Sequence, residues 1–489
     1  MNKVVVSGAS GTIGIAFVKK LLLEDYEVLV LLNKNSKRNW FFEQTKGVKI
    51  KYISINSYSK YIPREIYDVF FHLAWEGGGD RFNVTKNNNS ALTSGDAVNL
   101  ARRFGCKKFV GAGSQSECGF QEEFISSLSV CMPNNPFGIS KLNAFHLTKY
   151  LCNLNNIDFV WLRILSVYGP FDRSNSLITS TIKNCINNKE TQFTSGEQYW
   201  EYIFSKDVAD LLFLVCNKKL NNQILVVSSG SKRKLKFFIE QIAVLFDKDL
   251  SAGLGKNSET KTYNLISDIS ETKRKLKWEP KTNFIKGIKE TSNHLKLFEA
   301  VLKKNHIIFD FDGTIIDSKN SILNCLKISL EKNNINIDEL ILDSLISKPL
   351  NEILDNFVKN DKNLKEKIIN DFKLIYDKEE CLNVKLVENT VDLLKYLKST
   401  QTNIYLATNK RFFPTMKILN FFELKSFFKS IYCVDSNDLS FISKSQMVKH
   451  LTKENQIKKK ECLLIGDSEI DFISAKNNGI DFHLVDLIN

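Results

Sequence analysis

The sequence predicts an α/β protein of two doubly wound parallel-sheet domains, the second with a helical cap. Three observations carry this. A short apolar strand at the amino terminus runs into a glycine-rich turn, Lys3-Val-Val-Val-Ser-Gly-Ala-Ser-Gly-Thr-Ile-Gly14. A second, His306-Ile-Ile-Phe, ends in Asp310, Asp312 and the turn residue Gly313. After it, apolar residues recur at spacings of three and four before another apolar strand begins at Asn403. Short wholly apolar runs suit strands buried on both faces. At 489 residues the chain is also too long for a single core.

In the first domain, residues 1–295, Gly8, Gly11 and Gly14 let the backbone approach a pyrophosphate that the amino end of the next helix attracts. A strand from Glu27 to Leu32 comes next. At its end, where NAD enzymes usually place an acid for the ribose hydroxyls, stands Asn33, followed by Lys34, Lys37 and Arg38. That favours NADP over NAD; the alternative is that these cations are only a solvated loop. Later segments are Phe70-Phe-His-Leu-Ala-Trp75, Lys108-Phe-Val-Gly-Ala-Gly-Ser114, Pro136-Phe-Gly-Ile-Ser-Lys141, Trp161-Leu-Arg-Ile-Leu-Ser-Val-Tyr-Gly-Pro170, Gly196-Glu-Gln-Tyr-Trp-Glu-Tyr-Ile203, Lys206-Asp-Val-Ala209 and Trp278-Glu-Pro280.

With the GxxGxxG spacing, these segments resemble the extended short-chain dehydrogenase/reductase family of NAD-dependent epimerases and dehydratases. The resemblance implies a Rossmann-like domain acting on a nucleotide sugar. It places Gly8, Ser10, Gly11, Thr12, Ile13, Gly14, Asn33, Lys37, Arg38 and Lys141 at the cofactor, and Ser114 and Lys141 in the catalytic set. One departure matters: the family's YxxxK dyad keeps Lys141 but has Phe137 in place of tyrosine. A phenol with a lowered pKa is the proton shuttle for oxidation or reduction, and phenylalanine has no proton to move. Losing such a group costs on the order of 10²–10⁴ in rate. The domain is therefore slow, served by Ser114 or water, or retained for binding. Neither Tyr150 nor Tyr168 is an obvious substitute.

From Lys281 to Lys304 the spacing of Ile285, Ile288, Leu295 and Phe298 predicts a helix, with no Pro/Gly/Ser linker between the halves.

In the second domain, residues 304–489, Asp310 at the carboxyl end of its strand stands where open α/β sheets place ligands. Gly313 turns the chain, Thr314 can cap the next segment, and Asp312 points back to the same site. A carboxylate attacking phosphorus gives an aspartyl-phosphate, which divides one hard hydrolysis into two easier steps. A second acid can protonate the leaving oxygen and then activate water. Acids this close to a phosphate dianion require a divalent cation, and hard oxygens suit Mg²⁺. Three further pieces come in order: the strand Asn403-Ile-Tyr-Leu-Ala-Thr-Asn-Lys410, the segment Ser443-Lys-Ser-Gln with Lys444, and Leu463-Leu-Ile-Gly-Asp-Ser-Glu-Ile-Asp471.

Together these resemble the four motifs of the haloacid dehalogenase superfamily, beginning with hhhDxDGT. The resemblance implies Asp310 as nucleophile, Asp312 as general acid/base, Thr408 on a phosphate oxygen and Lys444 as the neutralising cation. It puts Mg²⁺ on Asp310, Asp312 and Asp467, with Asn409 and Asp471 on the phosphate and metal side. Helical spacing in Leu323/Leu326/Leu330, Ile346/Leu350/Ile353/Leu354/Phe357 and Ile368/Phe372/Ile375/Tyr376 looks like the family's cap, at about 319–390. Such a cap excludes water and reads the substrate. Its place after the first motif resembles the phosphoglycolate phosphatase branch. A phosphomutase is the competing reading, and Asp312 argues against a dehalogenase, which needs no acid for its leaving group.

Net charge of +13 raises the question of nucleic acid, but the lysines are scattered among asparagines and acids rather than gathered in a stripe. Ten cysteines show no CxxC or zinc spacing. With no signal peptide and no long apolar run, the expectation is a cytoplasmic protein with reduced thiols and no membrane partner. Its expected partners are small molecules, a sugar phosphate and a nucleotide sugar, and a homodimer stays open. The whole reads as an epimerase/reductase-like domain fused to a Mg²⁺-dependent phosphatase, and the family resemblance alone implies a place in the making of surface-polysaccharide sugars. The alternative class makes the first domain a cofactor- or sugar-binding module that regulates the phosphatase; a mere scaffold fits poorly with the full phosphatase motif set.

Overall fold

The computed structural model describes residues 3–121, 123–172, 175–257, 262–335, 350–358, 361–378, 380–436 and 441–485. Ile346, one of the apolar positions assigned to the cap, lies outside them. The chain divides into two compact units, Met1–Leu295 and Lys296–Asn489. Among the described residues no helix is long and apolar enough to cross a membrane.

The first unit is built on one sheet of seven strands: β1 (Lys3–Ser7), β2 (Glu27–Leu32), β3 (Val48–Tyr52), β4 (Val69–His72), β5 (Lys108–Ala112), β6 (Asp158–Ile164) and β7 (Gln223–Val227). Their order is β7-β6-β5-β4-β1-β2-β3, and all neighbours run parallel. The central strands are apolar because both faces are covered: Val4, Val5, Val6, Phe70, Phe71 and Phe109 are wholly buried. Strand order reverses between β1 and β4, paired from Val4↔Val69 to Ser7↔His72. That reversal opens a crevice at the strands' carboxyl ends. Helix α1 (Thr12–Leu23) starts there, α2 (Val84–Arg103) follows β4, and α3 (Pro136–Leu154) follows β5. The side-chain amide oxygen of Asn135 caps α3 by accepting from Gly138 N at 3.0 Å, and Pro136 fits its first turn. Helix α4 (Phe284–Val301) falls within the stretch where the periodicity predicts a helix.

The second unit centres on β8 (His306–Phe309). Beyond it lie β9 (Ile316–Asp317), α5 (Lys319–Glu331), α6 (Leu350–Asp355), α7 (Lys362–Lys378) and β10 (Lys385–Leu386). The rest comprises β11 (Asn403–Thr408), α8 (Phe412–Phe421), β12 (Ser430–Cys433), α9 (Lys444–Glu454), β13 (Cys462–Gly466), α10 (Glu469–Asn478) and β14 (Asp481–Leu484). The sheet order is β12-β11-β8-β13-β14, again all parallel. Because Phe309 pairs with both Leu406 and Ile465, the chain leaves β8, β11 and β13 at one edge of the sheet. The two-residue ribbon β9–β10 pairs Ile316 with Leu386 and Asp317 with Lys385, so the helical insertion leaves and rejoins the sheet domain side by side. Within it Leu326, Leu330, Ile353, Leu354, Val358 and Ile368 form a core separate from that under the sheet.

Candidate active sites

At the crevice of the first unit lies a cavity of about 1030 Å³. Gly8, Gly11, Thr12, Ile13, Gly14, Arg38, Ser114, Phe137 and Lys141 line it. Gly8 turns with φ +73°, and a Cβ there would lie 2.5 Å from Ala74 N; one on Gly14 would lie 2.5 Å from Gly8 O. Only glycine lets the turn fold this tightly. The first turn of α1 carries no acid, so its free N–H groups face the cavity without a competing charge.

Of the segment after β2, Arg38 borders the cavity; its guanidinium donates to Ser10 O at 3.4 Å and lies 5.8 Å from the Phe171 ring centre. Ser10 itself is not in the wall; its hydroxyl accepts from Ser36 at 2.9 Å. Asn33 and Lys37 are exposed and also outside it. Ser114 closes a capping box on the turn Gln115–Glu117, accepting from Ser116 N at 3.2 Å while its own N–H donates to Glu117 at 3.3 Å. Glycine is required just ahead of it because the Trp161 indole lies where Cβ atoms of Gly111 and Gly113 would be, at 2.5 and 2.3 Å.

The surroundings of Phe137 are aromatic and cationic. Its ring meets Trp75 edge-on at 5.9 Å and lies 5.8 Å from both the Lys141 ammonium and the Arg81 guanidinium. Lys141 donates to Ala112 O at 2.7 Å and sits 3.7 Å from the Trp75 ring centre. Tyr202, in one of the segments that carry the family resemblance, and Tyr263, which the sequence did not place here, also line the cavity. Burial pushes both hydroxyls above the ordinary range, opposite to what a proton shuttle near neutrality needs. The distance of Tyr263 in sequence from the dyad gave no signal. Tyr150 is exposed and Tyr168 is buried with its phenol raised by desolvation.

In the second unit Asp310, Asp467 and Asp471 converge, with one carboxylate oxygen from each within 4.8 Å of the others. The buried Lys444 at the start of α9 contacts both Asp310 and Asp471. Asp471 is further tied down by Ser468, whose hydroxyl donates at 2.6 Å in the capping box of α10. One of its oxygens thus meets Lys444 and the other Ser468. Gly313 has φ +73°, and a Cβ there would overlap Asp467 Oδ2 at 1.8 Å. The DxDG turn is thus shaped so that the acid at the end of β13 can lie against it. Thr408, buried at the end of β11, accepts from Lys410 N at 3.1 Å, and Asn409 is exposed.

Asp312 is placed apart from the three-acid group. Its Oδ1 accepts from Ser318 Oγ at 2.5 Å and from Lys410 Nζ at 2.8 Å. Neither partner was singled out from sequence, although Lys410 directly follows the Thr408-Asn409 pair. Burial pushes the Asp310 carboxyl up to about 8 against the pull of Lys444, with Asp471 and Asp467 adding to the rise. Asp467 is raised to about 6 by desolvation and then by Asp471. Three carboxylates converging this closely are a hard-oxygen donor set whose mutual repulsion a divalent cation relieves, so the residues present fit Mg²⁺.

One sheet thus carries a dinucleotide cradle and the other a buried acid, lysine and hydroxyl set suited to phosphate, which defines two enzyme-type domains in one chain. Residues 4–228 match the NAD dependent epimerase/dehydratase family and residues 307–485 match the haloacid dehalogenase-like hydrolases, so the chain is a fusion of an epimerase/dehydratase-like domain and a haloacid dehalogenase-like hydrolase domain. UDP-glucuronate 4-epimerase of Thermodesulfobacterium geofontis is 26% identical over 323 residues, covering 60% of this chain and 97% of that protein. A 5′-nucleotidase of Pseudomonas aeruginosa is 25% identical over 183 residues, 37% of this chain and 82% of that one. Among solved structures, UDP-glucose 4-epimerase of Thermotoga maritima with UDP-glucose superposes with a TM-score of 0.56 at 19% identity, covering 61% of this chain and 99% of that chain. A tyrosine-to-phenylalanine variant of UDP-glucuronic acid 4-epimerase from Bacillus cereus, holding NAD and UDP-4-deoxy-4-fluoro-glucuronic acid, gives 0.54 at 21% identity over 60% of this chain and 99% of that chain.

Proposed function

We propose that the carboxyl-terminal unit hydrolyses a sugar phosphate, or a similar small phosphomonoester, through an aspartyl-phosphate on Asp310. The observation that carries this is the buried Asp310–Lys444 contact, set at one sheet edge with Thr408 and Asp467. Asp310 attacks phosphorus, Lys444 balances the charge of nucleophile and phosphate, and Thr408 holds a phosphate oxygen. Asp312 gives the leaving oxygen its proton and then takes one from the attacking water. Asp310 and Asp467 would hold Mg²⁺, which would supply charge neutralisation at the phosphoryl group. A phosphatase screen over sugar phosphates, with Asp310→Asn as the control, tests the assignment. Hydrolysis of one class, abolished in a folded Asp310→Asn protein, is expected; undiminished turnover in that variant removes it. Phosphate moving to a second sugar hydroxyl instead of water would make the unit a phosphomutase.

For the amino-terminal unit the glycine cradle and the cavity beside it support binding of NADP or NAD together with a nucleotide sugar. Phe137 favours a second reading of that unit, as a cofactor- and sugar-binding module beside the phosphatase. Incubation with NADP and nucleotide sugars, followed at the nicotinamide band, separates the two. The nucleotide-sugar relatives support a place in the cytoplasmic supply of sugars for surface polysaccharide.

A further inference from the structure

We propose that Lys410 is a positioning residue that, with Ser318, pins one oxygen of Asp312 so that the other oxygen, Oδ2, carries the proton to the leaving group. The inference rests on the phosphatase reading above. Both donors converge on Oδ1, Ser318 Oγ at 2.5 Å and Lys410 Nζ at 2.8 Å. A carboxyl oxygen offers two lone pairs, so Oδ1 is filled and the transferable proton belongs on Oδ2. Both donors are fixed. Ser318 is 4% exposed just ahead of α5. The Lys410 side chain is 7% exposed, and its backbone N–H donates to Thr408 Oγ1 at 3.1 Å. Its ammonium packs 4.7 Å from the ring centre of Tyr376 on α7. The next residue, Arg411, makes a two-pronged ion pair with Asp377 of the same helix, at 2.8 and 2.6 Å. The last turn of α7 therefore braces the segment that aims Asp312.

In the step concerned, an Asp310 oxygen bonds to phosphorus while the bond from phosphorus to the ester oxygen breaks, its electron pair going to that oxygen. Oδ2 of Asp312 gives this oxygen a proton, and a neutral alcohol leaves. Asp312 is left as a carboxylate facing the Lys410 ammonium. A leaving group that departs readily as an anion has little need of that proton, which separates aim from general structural support.

The test compares kcat/KM for para-nitrophenyl phosphate, whose leaving group is stable as the anion, with that for a primary alkyl ester, glycerol phosphate. In Lys410→Met, loss on glycerol phosphate is expected at roughly 10²-fold, the scale of a misaimed group, with little change on the nitrophenyl ester. Lys410→Arg, which keeps charge and donors, should recover much of the loss. Ser318→Ala should show the same selectivity more weakly, and decides the matter if Lys410→Met does not fold. Equal losses on both esters, in variants with the wild-type circular dichroism, would overturn the proposal. Wild type and Asp310→Asn alike in hydrolysing neither ester would remove the phosphatase reading and this inference with it.

Discussion

Phe137 stands where the family's dyad has tyrosine, and its neighbours bear on what the missing oxygen changes. The Lys141 ammonium donates to Ala112 O and lies over the Trp75 face, 5.8 Å from the Phe137 ring centre. Phenylalanine and tyrosine differ by one hydroxyl, so Phe137→Tyr should fold without overpacking. The expected outcome is weak or undetectable oxidoreductase turnover in wild type and a gain in Phe137→Tyr toward whichever nucleotide sugar binds, read at the nicotinamide band. Efficient wild-type turnover with no gain would mean that Ser114, water or another acid moves the proton. Arg38 gives a second expectation at this scale. Calorimetry should find NADP bound more tightly than NAD, and Arg38→Ala should erase the difference, because Arg38 borders the cavity while Asn33 and Lys37 do not.

Turns and strand ends explain which parts of the sites could be read from the sequence. Gly8, Gly313 and the runs of β1 and β8 announced their geometry because a positive φ or a two-sided burial leaves few residue choices. Asp310, Thr408, Lys444 and Asp467 each sit at or near the end of an element, so order in sequence implied nearness in space. Ser318, Lys410, Tyr376 and Arg411 were not legible as a group, because their meeting depends on how α7 packs. Tyr263 reaches the first cavity from a segment with no spacing relation to the dyad, whereas Tyr202 lies in a segment that the family resemblance had placed there. The DxDG turn supports a prediction: Gly313→Ala forces alanine into the left-handed region, at about 1–3 kcal/mol, and displaces Asp467. Denaturant unfolding should show that loss, and a Mg²⁺ titration of activity should show weaker binding. The acid cluster sets a pH dependence. Carboxyls raised from 3.8 to about 8 and about 6 bind protons in the folded state that the unfolded chain has released. Their contribution to the stability of the metal-free unit is therefore present at low pH and lost as pH rises through those values. Mg²⁺ binding competes with the same protons and should strengthen over that range, as a titration at several pH values would read.

The two units have separate sheets and cores, and each site lies within one unit. A ligand that binds only the folded form of one unit stabilises that unit by mass action, by about 2.7 kcal/mol at a hundred times its Kd. Calorimetry of the full chain should therefore resolve two transitions, since multi-domain chains depart from two-state unfolding. NADP should raise one of them and Mg²⁺ the other. Asp310→Asn should leave dinucleotide affinity unchanged, and Phe137→Tyr should leave phosphatase kcat/KM unchanged. A single transition raised by both ligands, or a phosphatase rate that rises when NADP is added, would mean that the units are energetically coupled. In that event Phe137 would take on a different meaning, because a domain that binds cofactor and sugar without converting them could still control its neighbour through the free energy of binding.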